Sequence, residues 1–286
     1  MKVYHHIDEF HGVKTPVLTT GTFDGVHIGH RTIINRLKEV AKRVGGETVL
    51  LTFFPHPRMV LHGDEDLGLI NTQEEKIKLL EEAGIDHLII HPFSKEFSRL
   101  SSLEYVRDII ANQINVHTLV IGYNHHFGRN REGAFEHLKE YAGLYGFKVE
   151  EIPAQEMDSI NVSSTKIRNA LNLGQVDIAN RYLNSEFQLT GTVIKGDQLG
   201  RTIGYPTANI EIKERYKLIP AKGVYAAKVK VDGTYYTAML NIGNRPTVKD
   251  NGELRLEVHI LDFAGDLYGL NLTVNLLSYR RKDITF

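Results

Sequence analysis

The feature that most constrains the fold is an alternation of short apolar runs with amphipathic segments, from about residue 16 to residue 152. The first run, VLTTG, precedes a segment in which Ile33, Ile34, Leu37 and Val40 share one helical face. The runs ETVLLTFF, DHLII and VHTLVIG follow, separated by further helical segments. Continuous apolar strands between helices indicate a parallel, doubly wound sheet, whose ligands bind at the carboxyl ends of the strands.

Two of these helices have a recognisable start. Glu75 follows Thr72 by three residues and Glu104 follows Ser101 by three, and both spacings match the capping box. In that arrangement the hydroxyl accepts a hydrogen bond from the third backbone N–H, and the glutamate reaches back to the cap. The sequence therefore predicts helices that start at Thr72 and Ser101.

The character of the sequence changes near residue 185. Two short helices are predicted near 164–173 and 175–183, and about six strand-like runs follow, separated by Gly, Asn and Asp turns. Among them, VDGT predicts a tight hairpin. Short strands in such number predict a small antiparallel barrel. The expected fold class is α/β + β, with domains at 1–185 and 186–286.

Composition excludes several classes of function. Lys and Arg total 34 against 35 Asp and Glu, a net charge of -1, so no bulk field draws the chain to nucleic acid or anionic lipid. Cysteine is absent, which excludes disulfides and thiolate chemistry and is compatible with a reducing compartment. No apolar run approaches the roughly 20 residues that span a bilayer. We expect a cytoplasmic protein with neither a nucleic-acid nor a membrane partner.

The densest polar turn is GTFDGVHIGH, residues 21–30, at the end of the first predicted strand. Its glycines allow positive φ or close approach of a ligand, and the following helix start presents unpaired N–H groups to an anion. His27 and His30 lie one helical turn apart and could donate hydrogen bonds to phosphate oxygens. A metal site that includes His125 and His126 is an alternative, although no carboxylate completes a familiar zinc spacing. A purely structural turn is another.

A second anion-binding pattern lies at the start of the first short helix. Ser163, Ser164 and Thr165 supply hydroxyls and N–H groups, while Lys166 and Arg168 supply cations suited to a triphosphate. An ordinary helix cap is the structural alternative.

The third dense stretch is GRTIGYPTAN, residues 200–209. Thr207 and Asn209 are two residues apart on a predicted strand, so their side-chain oxygens lie on one face. Hard oxygen ligands suit Mg²⁺. Gly196 and Gly200 fit a loop around a phosphate chain. A strand entry with an edge proline is the structural alternative.

Together these stretches resemble the prokaryotic bifunctional riboflavin kinase/FAD synthetases. TGTFDGVHIGH is similar to the HxGH signature of nucleotidyltransferases, and TFFPHP, GYNHHFG and NVSSTKIR follow in the family's order. GRTIGYPTAN, NIGNRPT and LRLEVHILDFAGDLYG are similar to the riboflavin kinase module. The resemblance implies an N-terminal Rossmann-like nucleotidyltransferase domain with a parallel sheet, followed by a six-stranded antiparallel β-barrel kinase domain.

The resemblance also implies two reactions that use ATP and Mg²⁺. Riboflavin is phosphorylated to FMN with release of ADP, and FMN then receives AMP from a second ATP, which yields FAD and pyrophosphate. In the adenylyltransferase, His27 and His30 are implied as catalytic, and His56 and Asn124 as flavin-binding. The implied ATP-binding residues there are Gly21, Phe23, Asp24, Gly25, His27, Gly29, His30, Ser163, Ser164, Thr165, Lys166 and Arg168.

For the kinase, the resemblance implies Glu257 as the catalytic base, Thr207 and Asn209 as metal ligands, and Asn241 and Arg245 as flavin-binding residues. Its implied ATP-binding residues are Gly196, Gly200, Arg201, Pro206, Thr207 and Asn209.

The chain departs from the family's pattern at two places. Asn124 stands where many relatives carry Asp, and a neutral amide attracts Mg²⁺ less strongly. Relatives continue past RRKDITF into a C-terminal helix, which we expect the barrel here to lack. Two other functions stay open at this point: a nucleotidyltransferase with a different acceptor, or a barrel that binds single-stranded nucleic acid, which the net charge disfavours.

Overall fold

The computed structural model describes residues 1–64, 66–123, 127–129, 135–153, 162–196, 206–244 and 254–282. Contacts between residues divide the chain into two compact units. The first unit comprises Met1–Leu67 and Gln73–Val162, and the second comprises Gly68–Thr72 and Ser163–Phe286.

The first unit is built on a six-stranded parallel sheet, as the alternating pattern predicts. Its strands are β1 (Lys2–Tyr4), β2 (Pro16–Thr20), β3 (Glu47–Phe54), β4 (His87–Pro92), β5 (Thr118–Gly122) and β6 (Lys148–Ile152). Their order across the sheet is β1-β4-β3-β2-β5-β6. The sequence pattern did not identify the edge strands β1 and β6, which are short and largely not buried.

Helices cover both faces of this sheet. They are α1 (Ile28–Val44), α2 (Pro57–His62), α3 (Gln73–Glu82), α4 (Ser102–Glu104, which continues as a π-helix over Tyr105–Gln113) and α5 (Phe135–Tyr145). Neighbouring residues of one strand pack on opposite faces: Val17 joins the cluster that contains Leu37 of α1, whereas Leu18 joins the cluster that contains Ile110 of α4. The doubly wound architecture is therefore confirmed.

The strand order places a topological switch between β2 and β5. From β2 the chain proceeds outward to β3 and β4 on one side, while β5 and β6 extend the sheet on the other. Doubly wound sheets bind their ligands in the crevice that such a switch point creates outside the carboxyl ends of the strands. The polar turn at 21–30 follows β2 directly and therefore lies at this switch point.

Both predicted helix starts lie at the positions that the sequence indicated. The helix α3 begins at Gln73, directly after Thr72. Ser101 forms a complete capping box: its Oγ accepts a hydrogen bond from Glu104 N at 3.2 Å, and Glu104 Oε2 accepts one from Ser101 N at 2.9 Å. The cap supplies partners for backbone N–H groups that the helix itself leaves unpaired.

Replacing Ser101 by Ala is expected to lower the free energy of unfolding of the first unit by about 1 kcal/mol, because the cap loses its acceptor. Urea denaturation followed by far-UV circular dichroism measures the change. Ser101→Thr is the matched control, since it keeps a hydroxyl and should lose much less. Equal losses in the two variants would contradict a capping role.

In its described residues, the second unit contains two helices and a closed barrel. The helices are α6 (Ser164–Asn172) and α7 (Val176–Leu183), close to the predicted ranges. The strands are β7 (Phe187–Ile194), β8 (Ala208–Glu211), β9 (Gly223–Val231), β10 (Thr234–Asn244), β11 (Leu254–Ile260) and β12 (Asn271–Arg281). They close in the order β10-β11-β8-β7-β12-β9, and every pairing is antiparallel.

Alternation along each barrel strand separates an apolar interior from a polar outer face. In β11, Leu256 and Val258 are buried, while Glu257 between them is only half-buried. The predicted VDGT hairpin joins β9 to β10, with Asp232 at φ 47° and Gly233 at φ 84°, the conformation that such a tight turn requires. The six predicted strands and the barrel are confirmed.

None of the helices in the described ranges is long and apolar enough to cross a membrane.

Candidate active sites

The segment that joins β2 to α1, residues 21–27, is called the β2–α1 turn. Phe23 and Val26 have φ of 47° and 41°, in the left-handed region that non-glycine residues rarely occupy, and Gly25 lies between them at 91°. Both apolar side chains are buried, so packing holds the backbone in this conformation. Strained residues of this kind are concentrated at ligand-binding and catalytic positions.

His27 caps the helix that follows the turn. Its Nδ1 accepts a hydrogen bond from the backbone N–H of His30 at 3.3 Å. In the neutral imidazole, an accepting Nδ1 leaves the proton on Nε2, which is then a donor. A Cβ at Gly29 would lie 3.2 Å from Cε1 of the His27 ring, tighter than ordinary contacts. Glycine at 29 therefore gives the ring room to fold back over the helix start.

The two histidines form a stacked pair. Their ring centroids are 3.6 Å apart with an interplanar angle of 14°, and the Phe23 ring lies 4.8 Å from that of His30. Burial holds the pKa of His30 well below its ordinary value, and the nearby His27 and Lys76 lower it further. His30 is consequently an uncharged imidazole at neutral pH.

Lys76, which the sequence reasoning did not single out, belongs to the same site. It is 3% exposed and its Nζ donates a hydrogen bond to the Thr22 carbonyl oxygen at 3.1 Å. Burial lowers the pKa of the Lys76 ammonium, and the buried Asp24 carboxylate partly offsets that shift. Its signal in the sequence was weak, because a lysine within QEEKIKLLEE is typical of an exposed helix face.

Aromatic rings cluster near the carboxyl ends of β3, β4 and β5, another feature that the sequence reasoning missed. Phe53 contacts Phe97 at 5.4 Å between centroids, Phe97 contacts Tyr105 at 6.1 Å, and Tyr105 contacts Phe127 at 6.0 Å. The Tyr105 hydroxyl lies 3.1 Å from Thr20 Oγ1, directly before the β2–α1 turn. Burial raises the pKa of Tyr105 to about 12, so its phenol stays neutral.

His56 caps α2 at the end of β3. Its Nδ1 accepts a hydrogen bond from Arg58 N at 3.2 Å, which makes Nε2 the donor of the neutral ring. The companion residue Asn124 lies outside the described residues, as do His125 and His126. Across the ranges that are described, no group of three or more His, Asp or Glu side chains could hold a metal ion.

The serine-rich stretch after 162 forms the start of α6, within the second unit. Ser163 is the N-cap, and its Oγ accepts a hydrogen bond from Lys166 N at 3.3 Å. Ser164 is half-buried, and Thr165 and Lys166 are exposed, whereas Arg168 is buried and donates from Nε to the Gly68 carbonyl at 2.9 Å. One donor of the Arg168 guanidinium is therefore used within the second unit itself.

A second polar cluster lies on the outer face of the barrel. In the strand register, Glu257 of β11 is directly opposite Asn209 of β8 and Asn241 of β10. Directly opposed residues have Cβ atoms about 4.5–5.5 Å apart, within reach of each other's side chains. A Cβ at Gly196 would overlap the Asn209 side-chain amide, so glycine lets the backbone pass directly against that group.

A cavity of about 480 Å³ opens beside Glu257. It is lined by Thr207, Val224, Ala226, Met239, Asn241, Glu257, His259, Arg280 and Arg281. Met239, His259, Arg280 and Arg281 were not predicted. His259 donates from Nδ1 to the Pro206 carbonyl at 2.8 Å, beside Thr207.

Of the other predicted kinase residues, some belong to the described part of the chain and others do not. A neighbouring cavity of about 570 Å³ is lined by Gly196, Asn209 and Arg255 among others. Within the described residues, the buried Oδ1 of Asn241 accepts no hydrogen bond. Gly200, Arg201 and Arg245 lie outside the described residues.

Comparison with known proteins assigns both halves of the chain. The family model for FAD synthetase matches residues 11–166, and the model for riboflavin kinase matches residues 183–286. Three relatives are described as bifunctional riboflavin kinase/FMN adenylyltransferases. The one from Pseudomonas fluorescens is 39% identical to this chain, over 90% of this chain and 82% of the relative. The relatives from Listeria monocytogenes and Bacillus subtilis are 37% and 34% identical, over 94% and 99% of this chain and 85% and 89% of their own lengths.

One solved structure is similar over the whole chain. It is described as a macrolide-efflux protein from Streptococcus pneumoniae, with a TM-score of 0.88, 30% identity and coverage of 100% of this chain and 92% of that one. The description applies to that protein, whereas both family models and the relatives above name flavin-nucleotide enzymes. The chain therefore belongs to the bifunctional riboflavin kinase/FMN adenylyltransferases, which make FMN from riboflavin and FAD from FMN.

Proposed function

We propose that the two reactions take place at two separate sites: adenylyl transfer at the carboxyl edge of the parallel sheet, and riboflavin phosphorylation on the outer face of the barrel. The observation that supports this division is that each polar cluster is built within one compact unit. His27, His30 and Lys76 belong to the first unit, and Asn209 and Glu257 belong to the second.

In adenylyl transfer, a phosphate oxygen of FMN attacks the α-phosphorus of ATP. A new P–O bond forms as the bond to the bridging oxygen of the β-phosphate breaks, and pyrophosphate leaves. His27 and His30 donate hydrogen bonds to the oxygens on which negative charge grows. The neutral imidazole of His30 can donate such a hydrogen bond without carrying a positive charge, which burial at this site disfavours.

The aromatic cluster is proposed to hold the flavin ring system. The isoalloxazine is flat and mostly apolar, and the half-buried rings of Phe53 and Phe97, backed by the buried rings of Tyr105 and Phe127, offer a matching apolar surface near the β2–α1 turn. The donor Nε2 of His56 is proposed to contact the same substrate. Asn124 is retained as a proposed flavin-binding residue from the resemblance.

In the kinase reaction, Glu257 is proposed to accept the proton of the riboflavin 5′-hydroxyl as its oxygen attacks the γ-phosphorus. The bond between the γ-phosphorus and the bridging oxygen breaks, and ADP leaves. Asn241 Oδ1 is proposed to accept a hydrogen bond from a hydroxyl of the ribityl chain of riboflavin. An amide oxygen that is buried without a partner costs about 1–3 kcal/mol, which this donor would recover.

The side-chain oxygens of Thr207 and Asn209 fit a magnesium ion, because Mg²⁺ prefers hard oxygen ligands beside substrate phosphates. Gly196 is retained as a proposed binding residue, because the absence of a Cβ lets its backbone approach the Asn209 side chain that is proposed to hold the ion. When bound, the ion neutralises phosphate charge. Gly200, Arg201, Pro206 and Arg245 are retained as proposed binding residues from the resemblance.

The start of α6 is proposed as a further phosphate-binding element, on the strength of its Ser163 cap and its exposed Lys166. We propose that the functional domains divide near residue 185, between α7 and β7. A cytoplasmic location is proposed, since both reactions consume ATP and the chain has no cysteine that an oxidising compartment would pair.

The experiment that tests the two-site proposal follows products by chromatography after riboflavin, ATP and Mg²⁺ are added to the purified chain. We expect FMN to accumulate first and FAD to follow, with one ADP released for each riboflavin consumed and one pyrophosphate for each FAD formed. FMN and ATP supplied without riboflavin should yield FAD and pyrophosphate and no ADP. ADP release from FMN and ATP alone, in step with FAD formation, would contradict the assignment.

A further inference from the structure

Lys76 lies beneath the β2–α1 turn and takes no part in either proposed reaction. Its Nζ donates to the Thr22 carbonyl oxygen at 3.1 Å, and the same oxygen accepts a hydrogen bond from Thr52 Oγ1 at 3.1 Å. One backbone carbonyl of the turn is thus held from two directions, by α3 and by β3. A turn whose carbonyl has two donors has little freedom to rotate its peptide planes.

The turn needs such restraint because its backbone is strained. Phe23 and Val26 occupy the left-handed region, and the β-branched side chain of Val26 makes that conformation especially unfavourable. The residues flanking the Thr22 carbonyl would relax toward ordinary φ values if the surrounding contacts were weakened. The charge-assisted hydrogen bond from Lys76 is the strongest single contact type available for that purpose.

The ammonium group also contributes an electric field at this place. The Asp24 carboxylate favours the charged form of Lys76, and the positive charge of Lys76 in turn disfavours protonation of His30. Burying a cation at 3% exposure is costly, and a methionine of similar length would fill the same space without that cost. A purely structural need for packing therefore does not account for a lysine here.

We propose that Lys76 is a positioning residue of the adenylyltransferase site, which holds the β2–α1 turn in the conformation that binds the nucleotide by fixing the Thr22 carbonyl. The inference rests on the proposed assignment of adenylyl transfer to that turn. Lys76 acts through the turn and through its charge toward the histidine pair.

The test compares Lys76→Met, Lys76→Arg and Lys78→Met in the full chain. Lys78 lies on the same helix with an exposed side chain, so its variant is the matched control. We expect Lys76→Met to lower kcat/KM for ATP in FAD formation at least about ten-fold, since it removes a charge-assisted hydrogen bond. Lys76→Arg should recover most of that loss, and riboflavin phosphorylation should be unchanged in all three variants.

A second readout separates positioning from general stability. The pKa of His30, followed by NMR of the ring protons, should rise in Lys76→Met, because a neighbouring positive charge is gone, and should stay low in Lys76→Arg and Lys78→Met. If Lys76→Met does not fold, the Lys76→Arg variant decides the question. An arginine variant that folds but has lost ten-fold or more of the rate of FAD formation overturns the proposal.

Two outcomes distinguish this inference from the proposed function. FAD formation at the normal rate by Lys76→Met, with His27→Ala/His30→Ala inactive, overturns the role of Lys76 and leaves the site assignment standing. Normal FAD formation by the His27→Ala/His30→Ala variant would instead remove the site on which the inference rests.

Discussion

The double substitution His27→Ala/His30→Ala is expected to stop FAD formation while FMN still accumulates from riboflavin. Removing a single preorganised donor from a charge-stabilising site costs on the order of 100-fold to 1,000-fold in rate, so loss of both should exceed about 1,000-fold. The kinase cluster belongs to the other compact unit, so the rate of riboflavin phosphorylation should be unchanged. Chromatography of flavin products measures both rates in one reaction.

Two controls make this result interpretable. His11 and His62 are exposed residues of the same unit, and His11→Ala/His62→Ala should leave both activities intact. Because His27 also caps α1, His27→Asn/His30→Asn provides a second test: asparagine is a favourable N-cap but lacks the imidazole. Loss of both activities in a folded variant would argue against separate sites, and FAD formation by the asparagine pair would argue against a role for the imidazoles.

Replacing Glu257 by Gln is expected to abolish the phosphorylation of riboflavin, with a loss of about 100-fold to 10,000-fold, the usual contribution of a general base. Glutamine keeps the size of the side chain and cannot accept the hydroxyl proton. The half-buried position of Glu257 on the outer face means that the barrel core is not disturbed. The measurement is ADP release with riboflavin as the only flavin.

The same variant should still convert supplied FMN into FAD, which reports on folding and on independence of the two sites. Glu186→Gln is the matched control: it removes the ion pair with Lys228 at 2.6 Å and should leave phosphorylation intact. A Glu257→Gln enzyme that phosphorylates riboflavin at the normal rate would show that the proton leaves by another route, and would remove Glu257 from the mechanism.

Much of the architecture followed from local patterns. The runs VLTTG and ETVLLTFF became buried central strands, because a strand covered on both faces by helices needs apolar side chains on both. The capping box at Ser101 formed because its two hydrogen bonds involve residues only three apart. The edge strands β1 and β6 were not predicted, because their side chains are mostly not buried and no apolar run marks them in the sequence.

Some residues of the candidate sites could likewise be predicted from the sequence, and others could not. The polar turn at 21–30 and the Thr207–Asn209 pattern were visible because their members are close in sequence, and the family resemblance then supplied their roles. Lys76 and the aromatic cluster were not visible, since Lys76 contacts Thr22 across 54 residues of chain and the rings come from elements far apart in the sequence. Nothing in QEEKIKLLEE distinguishes a lysine that faces the sheet from one that faces solvent.

The sequence by itself determined the two kinds of fold, most element positions and the family to which the chain's motifs point, because periodicity, caps and dense motifs act over a few residues. Only the tertiary structure decided the order of the strands, the register that sets Glu257 opposite Asn209, and the inclusion of Gly68–Thr72 in the second unit. These features depend on contacts between residues far apart in the chain, such as the hydrogen bond from Lys217 Nζ to the Ile70 carbonyl at 2.7 Å. Local propensity carries no information about such partners, and only the packing of the folded chain selects them.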